Sequence, residues 1–219
     1  MNKFASYPRS LAIATLLTLV FVTACSDDTP AEATATLTIL AGTVEMADAS
    51  GDFQPAVDGT SLVAGDTVRT GADGRAEISY FEGSTTRLDF GTTFHIAFLE
   101  IDDDGTTTIS AEQVTGNSYS RVIELVNARS RFDIETPTAV AGVQGTEYAV
   151  LIDPEDGKTT VVVIDRSVRV TGETGDTVVE AGFSVVVPRP EVSTGPLEPG
   201  PTPPEVLDSD WIVFNQPEG

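Results

Sequence analysis

Hydrophobic and polar positions alternate with period two in short segments from residue 36 onward. Residues 36–40 alternate threonine with leucine and isoleucine, and residues 43–46 repeat the pattern. Successive side chains of a strand point to opposite faces, so this period indicates strands with one buried face. Segments rich in Val, Ile, Thr, Tyr and Phe continue the series at residues 75–81, 86–90, 94–99, 159–164 and 184–187. Such residues favour strands.

Glycine and aspartate separate these segments. Pairs such as Asp58-Gly59, Asp73-Gly74 and Asp156-Gly157 are typical of tight turns, because glycine adopts a positive φ without strain. The one window with helical spacing is 117–129, and its centre, 121–126, also fits a strand, which we favour. The pattern predicts an all-β fold of rolled or stacked antiparallel sheets over residues 36–187, either a β-sandwich or a β-helix-like domain.

Proline changes the pattern after residue 187. Seven prolines fall between residues 188 and 204, and proline removes a backbone donor and fixes φ. We therefore expect an extended Pro-rich linker over 188–207. Residues 208–219 form a short C-terminal segment whose apolar cluster, Trp211 to Phe214, is costly to leave in water and is expected to dock on another surface.

The N-terminus has the pattern of an export signal. Lys3 and Arg9 precede an apolar run over residues 11–21, which is too short to cross a hydrocarbon core of roughly 30 Å. Val22-Thr23-Ala24-Cys25 follows and resembles the lipobox of bacterial lipoproteins. The resemblance implies a signal peptide over 1–24, lipid attachment with palmitate at Cys25, and a polar tether over 25–35. The alternatives are an ordinary signal peptide or a chance apolar N-terminus in a cytosolic protein.

The same resemblance implies a location in the cell envelope, outside the cytoplasmic membrane. Ser26 follows Cys25, whereas in the usual sorting rule of cells with two membranes an aspartate at that position retains a lipoprotein on the inner membrane. We therefore expect the lipid on the periplasmic side of the outer membrane in such a cell.

Charge and cysteine content exclude several classes of partner. The chain has 34 acidic and 12 basic residues and a net charge of -22, so nucleic acid would be repelled and anionic lipid would find no polybasic patch. Cys25 is the single cysteine, which excludes an internal disulfide and a site made of several thiolates.

Three motifs resemble those of one known domain family. Residues 62–71, L-V-A-G-D-T-V-R-T-G, resemble an L-x-x-G-D-x-V-x-T-G core. Residues 75–88 resemble an R-A-x-L-x-F-x-D-G-S hairpin, with Glu82 in place of aspartate, and residues 136–150, T-P-T-A-V-A-G-V-Q-G-T-E-Y-A-V, resemble the most specific segment, with Gln144 in place of arginine. These motifs are similar to those of the FecR domain, an extracytoplasmic module of bacterial regulators of iron uptake and of other exported proteins.

The resemblance implies a non-catalytic binding, sensory or scaffolding module with a protein or glycan partner in the envelope. We expect sheet edges and residues 136–146 to be the contact surfaces, since a sheet edge accepts an added strand. Asp165 to Ser167 and Phe183 also depart from the family pattern, at positions where it commonly has glycine and glutamine. The family regulator's sigma-contacting cytoplasmic segment has no counterpart before the signal peptide, so we do not expect a direct sigma regulator.

Catalytic chemistry has little support in the sequence. His95 is the only histidine and lies in a strand-like run with no G-x-S-x-G elbow, so no catalytic residue, cofactor site or metal site is predicted. Residues 102–105, D-D-D-G, lack the alternation of an EF-hand loop and are interpreted as a hairpin tip, with weak calcium binding left open.

Two other functions remain open. An envelope hydrolase would act through paired carboxylates with separated pKa values, with candidates at Asp66, Glu77, Glu82 and Asp89. A structural envelope subunit would insert Trp211 to Phe214 into a neighbour's sheet.

Overall fold

A computed structural model describes residues 33–125, 127–189 and 195–215. These residues form eighteen strands and two short helices. The strands are β1 Ala35–Ala41, β2 Val44–Ala47, β3 Gln54–Pro55, β4 Ser61–Leu62, β5 Thr67–Thr70, β6 Arg75–Tyr80, β7 Thr85–Leu88, β8 Thr93–Ile101, β9 Thr107–Thr115, β10 Asn117–Val122, β11 Arg131–Glu135, β12 Ala139–Val143, β13 Thr146–Ile152, β14 Thr159–Asp165, β15 Ser167–Gly172, β16 Gly175–Glu180, β17 Phe183–Val187 and β18 Gly200–Pro201. The helices are α1 Pro204–Leu207 and α2 Asp210–Asn215.

The strands form two nine-stranded sheets. Sheet A has the order β18-β17-β14-β13-β10-β7-β6-β1-β4, and sheet B has the order β16-β15-β12-β11-β9-β8-β5-β2-β3. The chain crosses repeatedly from one sheet to the other. Neighbouring strands are antiparallel except β9 and β11, which pair in parallel because the chain crosses to sheet A as β10 between them.

The main core lies between the two sheets. Strand β6 shows why: its buried residues alternate with partly exposed ones, so Ala76, Ile78 and Tyr80 all point inward. The ring of Tyr80 in sheet A meets the ring of Phe132 in sheet B edge to face, with centroids 5.2 Å apart. This contact joins the two sheets, and the predicted all-β class of stacked sheets is confirmed in its β-sandwich form.

Two turns meet at a corner that only glycine permits. The turn between β1 and β2 packs on the turn between β5 and β6, and the amide of Gly71 donates to the carbonyl oxygen of Thr43 at 2.8 Å. A Cβ on Gly74 would lie 1.9 Å from the same oxygen. The Asp73 side chain adds a bond, since its Oδ1 accepts from the Thr43 amide at 3.1 Å. The backbones are therefore too close for any side chain at residue 74.

The C-terminal segment packs on the outer face of sheet A. Trp211 and Ile212 of α2 join a second, smaller core with Tyr119 of β10, Ala149 of β13 and Val162 of β14. The predicted docking of the apolar cluster is thus confirmed, and the surface is the chain's own sheet. Trp211 and Ile212 are buried in this contact, whereas Val213 and Phe214 stay 56% and 43% exposed. The alternative in which the cluster inserts into a neighbouring subunit remains a prediction. Within 188–207, the described residues include the edge strand β18 and helix α1, which begins at Pro204.

Contacts of arginine with aromatic rings hold α2 in place. The Arg75 guanidinium lies 4.2 Å from the ring centroid of Phe90 and 4.6 Å from that of Phe214, while its Nε is 2.9 Å from Asp89 Oδ1. By contrast, the Trp211 indole nitrogen and the Tyr119 hydroxyl are buried with no hydrogen-bond partner among the described residues. The docking therefore depends mainly on apolar and cation-π contacts, with one long hydrogen bond of 3.5 Å from Arg87 Nη1 to Asn215 Oδ1.

The strand predictions are confirmed over residues 36–40, 43–46, 75–81, 86–90, 94–99, 159–164 and 184–187, with small differences at the ends. In the ambiguous window 117–129, strand β10 covers residues 117–122. The favoured strand over 121–126 is therefore confirmed only for its first two residues, because residues 123–125 are irregular. The proposed signal peptide, Cys25 and most of the tether lie outside the described residues. No helix in the described ranges is long and apolar enough to span a membrane.

Candidate functional site

A groove crosses the outer face of sheet B. Its centre is set by strand register: Asp133 of β11 pairs with Gly142 of β12, Gly142 pairs with Arg169 of β15, and Arg169 pairs with Val178 of β16. Paired residues point to the same face of a sheet. The four residues therefore form one row across four strands, with a glycine between an acidic and a basic side chain.

Gly142 creates the depression in this row. A Cβ at that position would lie 2.8 Å from Oδ1 of Asp133, so any larger residue would displace the carboxylate. The resulting groove has a volume of about 460 Å³ and is also lined by Arg131, Gln144 and Ser167. The volume falls within the roughly 300–1,000 Å³ common for binding pockets.

The charges of the groove are only weakly satisfied within the protein. Burial raises the pKa of Asp133, and the nearby Arg131 guanidinium partly offsets this. Arg131 Nε lies 4.0 Å from Asp133 Oδ2, and Arg169 Nη1 lies 2.8 Å from Asp176 Oδ2. Both arginine side chains remain more than 60% exposed, at 65% and 62%. Exposed pairs of this kind contribute about 1 kcal/mol or less, so both guanidiniums can exchange partners.

Gln144 forms one wall of the groove by tying down a loop. Its Nε2 donates to the carbonyl oxygen of Ala128 at 3.1 Å and to that of Ser130 at 3.4 Å. Gln144 is the position where the FecR pattern usually has arginine. In this chain the position therefore holds a neutral side chain that contacts a loop. Arginine at the same position would place a third cation beside Arg131 and Arg169.

The structure corrects the expected role of residues 136–146. Strand β12 lies between β11 and β15 and is paired on both sides, so it has no free edge for an added strand. The preceding turn is also closed, since the buried Thr136 hydroxyl contacts Thr159 Oγ1 at 2.8 Å and accepts from the Ala139 amide at 2.9 Å. Within residues 136–146, the groove is lined only by Gly142, Val143 and Gln144.

The four candidate hydrolase carboxylates have varied surroundings. Glu77 Oε2 lies 2.6 Å from Arg87 Nε, and Asp89 is held by Arg75. Asp66 Oδ2 accepts from the Val63 amide at 2.9 Å and so closes its own turn. Both carboxylate oxygens of Glu82 are buried, with no hydrogen-bond partner among the described residues. Three of the four thus serve separate structural contacts.

His95 and the acidic tip occupy the positions expected for strand and turn residues. His95 lies on β8, partly buried, with Nδ1 3.0 Å from Thr67 Oγ1. In the tip, Asp104 Oδ1 accepts from the amide and hydroxyl of Thr106, and Gly105 has a φ of 77°. Within the described ranges, no three His, Cys, Asp or Glu side chains are grouped to hold a metal ion.

Sequence reasoning missed the groove. Its three central residues, Asp133, Gly142 and Arg169, are separated by up to 36 positions (169 minus 133) and meet only through strand register. One signal was present: Gly142 and Gln144 both fall in the segment that most resembles the FecR pattern.

Comparisons with known proteins agree with this architecture. Two crystal structures, at 1.65 Å and 2.50 Å, of a protein from Parabacteroides distasonis ATCC 8503 that is proposed to be an anti-sigma factor are similar to this chain, with TM-scores of 0.52 and 0.53. Sequence identity is 16%, and the match covers 64% of this chain and 61% of that protein, so the likeness shows a shared fold. No curated protein sequence matches the chain.

The family comparison covers the groove itself. The model of the family described as FecR protein matches residues 66–169, a range that includes Asp133, Gly142 and Arg169. The matched range, residues 66–169, is a little under half of the 219 residues of the chain, and this part is similar to that family.

Proposed function

We propose that this protein is a lipid-anchored binding module of the cell envelope that recognises a partner protein without catalysing a reaction. Two features support the proposal. Residues 66–169 match the FecR family model, and that resemblance implies a regulatory or sensory module. The sequence before this range carries the export pattern and Cys25. The lipid would hold the β-sandwich near the membrane, because the negatively charged protein would not be attracted to an anionic membrane surface by itself.

The groove on sheet B is the observation that carries the proposal. It offers two exposed guanidiniums and one carboxylate, which can form charge-assisted hydrogen bonds with side chains or backbone of a polypeptide. None of the described residues that line the groove has an aromatic ring on which a sugar could stack. We therefore favour a protein partner over a glycan partner.

A strand edge that is unpaired among the described residues adjoins the groove. Strand β16 ends sheet B, and Val178 on its outer face lines the groove while 43% exposed. An extended segment of a partner can pair with such an edge through backbone hydrogen bonds, with side-chain contacts adding specificity. This deepens the expectation from the sequence, because the usable edge is β16 instead of residues 136–146.

The likeness to a protein proposed to be an anti-sigma factor suggests the kind of process involved. We propose that binding at the groove contributes to envelope signalling, with the β-sandwich as the sensing part. Contact with a sigma factor is not part of the proposal, since the export signal would place the domain outside the cytoplasm.

Copurification from solubilised envelopes tests the function. The full chain is compared with Arg169→Gln and Asp133→Asn, and Arg69→Gln serves as a control because Arg69 pairs with Glu45 away from the groove on the same sheet. We expect one partner to copurify with the wild type and the control, and at about tenfold lower yield with the groove variants. Equal recovery with all four proteins would contradict the proposal.

A further inference from the structure

A second concave site lies where several turns meet at one end of the sandwich. It is formed by the turn after β7, the turn between β9 and β10, the turn between β13 and β14, and the residue that follows Pro188. Its volume is about 430 Å³. It is distinct from the groove on sheet B, with which it shares no lining residue.

The floor of this end pocket is apolar. Phe90 and Val114 both contribute to it, and they are 42% and 41% exposed. Ile152, Pro137 and Pro154 complete the apolar surface. Apolar side chains of this size, held open to solvent around one depression, favour a ligand with a hydrophobic group.

Arg189 gives the end pocket its charge. Every other lysine or arginine side chain in the described ranges lies within 4.0 Å of a carboxylate oxygen. Arg189 has no such partner among the described residues, in a chain with 34 acidic residues. Its guanidinium rests over Gly157, where a Cβ would lie 2.5 Å from Nη2. An unpaired guanidinium beside an apolar floor is complementary to an anionic group on a hydrophobic ligand.

The carboxylate of Asp153, which also lines the pocket, does not neutralise Arg189. Asp153 is already engaged, with Oδ2 3.0 Å from Lys158 Nζ and Oδ1 accepting from the Glu155 amide at 2.9 Å. Asn117 also lines the pocket. The Arg189 guanidinium is therefore the charged group that remains available to an acceptor group on the ligand.

We propose that the end pocket binds a carboxylate attached to an apolar group, with Arg189 as the carboxylate's partner and Phe90 and Val114 as contacts of the apolar group. The C-terminal residue of a polypeptide and a small organic acid both have this chemistry. The proposal does not depend on the groove or on a protein partner there.

Calorimetric titration of the full chain with N-acetyl-phenylalanine tests the site, with N-acetyl-phenylalanine amide as the uncharged analogue. We expect the acid to bind at least about tenfold more tightly than the amide, because one charge-assisted contact is lost with the amide. Arg189→Gln should lower the affinity for the acid by a similar factor. Val114→Asp, which places a carboxylate at an exposed position on the floor, should do the same.

Arg129→Gln is the matched control, since Arg129 is an exposed arginine that pairs with Asp104 elsewhere on the sandwich. Arg129→Gln and Arg169→Gln should both leave the affinity for the acid unchanged, which separates this site from the groove. A hexapeptide with a C-terminal phenylalanine that binds more tightly than the acid would identify a chain end as the ligand, and equal affinity would favour a small acid. Failure of the wild type to bind the acid, or equal binding of acid and amide, would overturn the proposal.

Discussion

Arg75 and Phe214 are 139 positions apart in the chain (214 minus 75), yet the Arg75 guanidinium lies 4.6 Å from the centroid of the Phe214 ring. The same guanidinium lies 4.2 Å from the centroid of the Phe90 ring, and its Nε is 2.9 Å from Asp89 Oδ1, which neutralises the charge. This cluster fixes the C-terminal helix to the outer face of sheet A. The sandwich therefore has a second, smaller core outside its two sheets.

The docking of α2 can be followed with the chain's single tryptophan. Phe214→Ala removes the stack on Arg75 and one on Trp211, whose ring centroid is 6.0 Å away. We expect the free energy needed to detach α2 from sheet A to fall by about 1 kcal/mol. Tryptophan fluorescence should then shift to the red at lower urea than the circular dichroism transition. Val213→Ala is the control, because Val213 on the same helix is 56% exposed; a shift of equal size in the control would contradict the role of the stack.

The glycine corner predicts a large loss of stability from a small change. Gly74→Ala forces a methyl group towards the Thr43 carbonyl oxygen, so the two turns must separate. We expect the free energy of unfolding to fall by about 3 kcal/mol in urea denaturation. Gly200→Ala has no atom within 4 Å of its new methyl group and should change stability by less than about 1 kcal/mol. Similar losses in both variants would contradict the close approach.

Asp133 predicts a dependence of stability on pH. Because burial raises the pKa of Asp133 above its ordinary 3.8, the folded protein holds this proton more tightly than the unfolded chain. The stabilising contribution of the proton is complete below pH 3.8 and is lost as pH rises through the raised pKa. Relative to wild type, Asp133→Asn should therefore be more stable at pH 7 than at pH 3.

Asp73 provides the opposite case for the same measurement. Hydrogen bonds from Thr43 lower the pKa of Asp73, so its contribution is present above the ordinary 3.8 and is lost as pH falls through the lowered pKa. Relative to wild type, Asp73→Asn should be less stable at pH 7 than at pH 3. Urea unfolding of both variants at the two pH values checks the pair, and parallel trends would contradict the assignment.

Lipid attachment is a separate prediction of the proposed function. In cells that grow with labelled palmitate, the wild type should incorporate label, and Cys25→Ser should not, because Cys25 holds the only sulfhydryl group of the chain. Mass spectrometry of the mature N-terminus should find an acylated Cys25. Recovery of unprocessed wild-type chain from the cytosol, beginning at Met1, would contradict the anchor.

The sequence was sufficient to predict most of the strands, but it did not predict which surfaces are available for binding. Strands such as β6 alternate buried and partly exposed residues, so their local pattern reflects their environment. The same logic failed for residues 136–146, because whether β12 is an edge or an interior strand depends on its neighbours β11 and β15. Local pattern contains no information on sheet order.

The two concave sites could not be predicted for a related reason. Asp133 and Arg169 flank Gly142 only after three strands adopt their register. Arg189 lies at the beginning of the Pro-rich stretch, where sequence reasoning expected a linker, and its position over Gly157 follows from the tertiary fold. Similarly, the helix of residues 210–215 is too short for a helical period to be recognised in advance.

Site-specific photocrosslinking in intact cells tests the central claim most directly. A photoreactive residue at Val178 lies in the groove, and one at Val57, which is 70% exposed on a loop, is the control. We predict a discrete adduct with one envelope protein from position 178, lost on Arg169→Gln, and none from position 57. The same adduct from both positions, or no adduct from position 178, would contradict a partner-binding groove on sheet B.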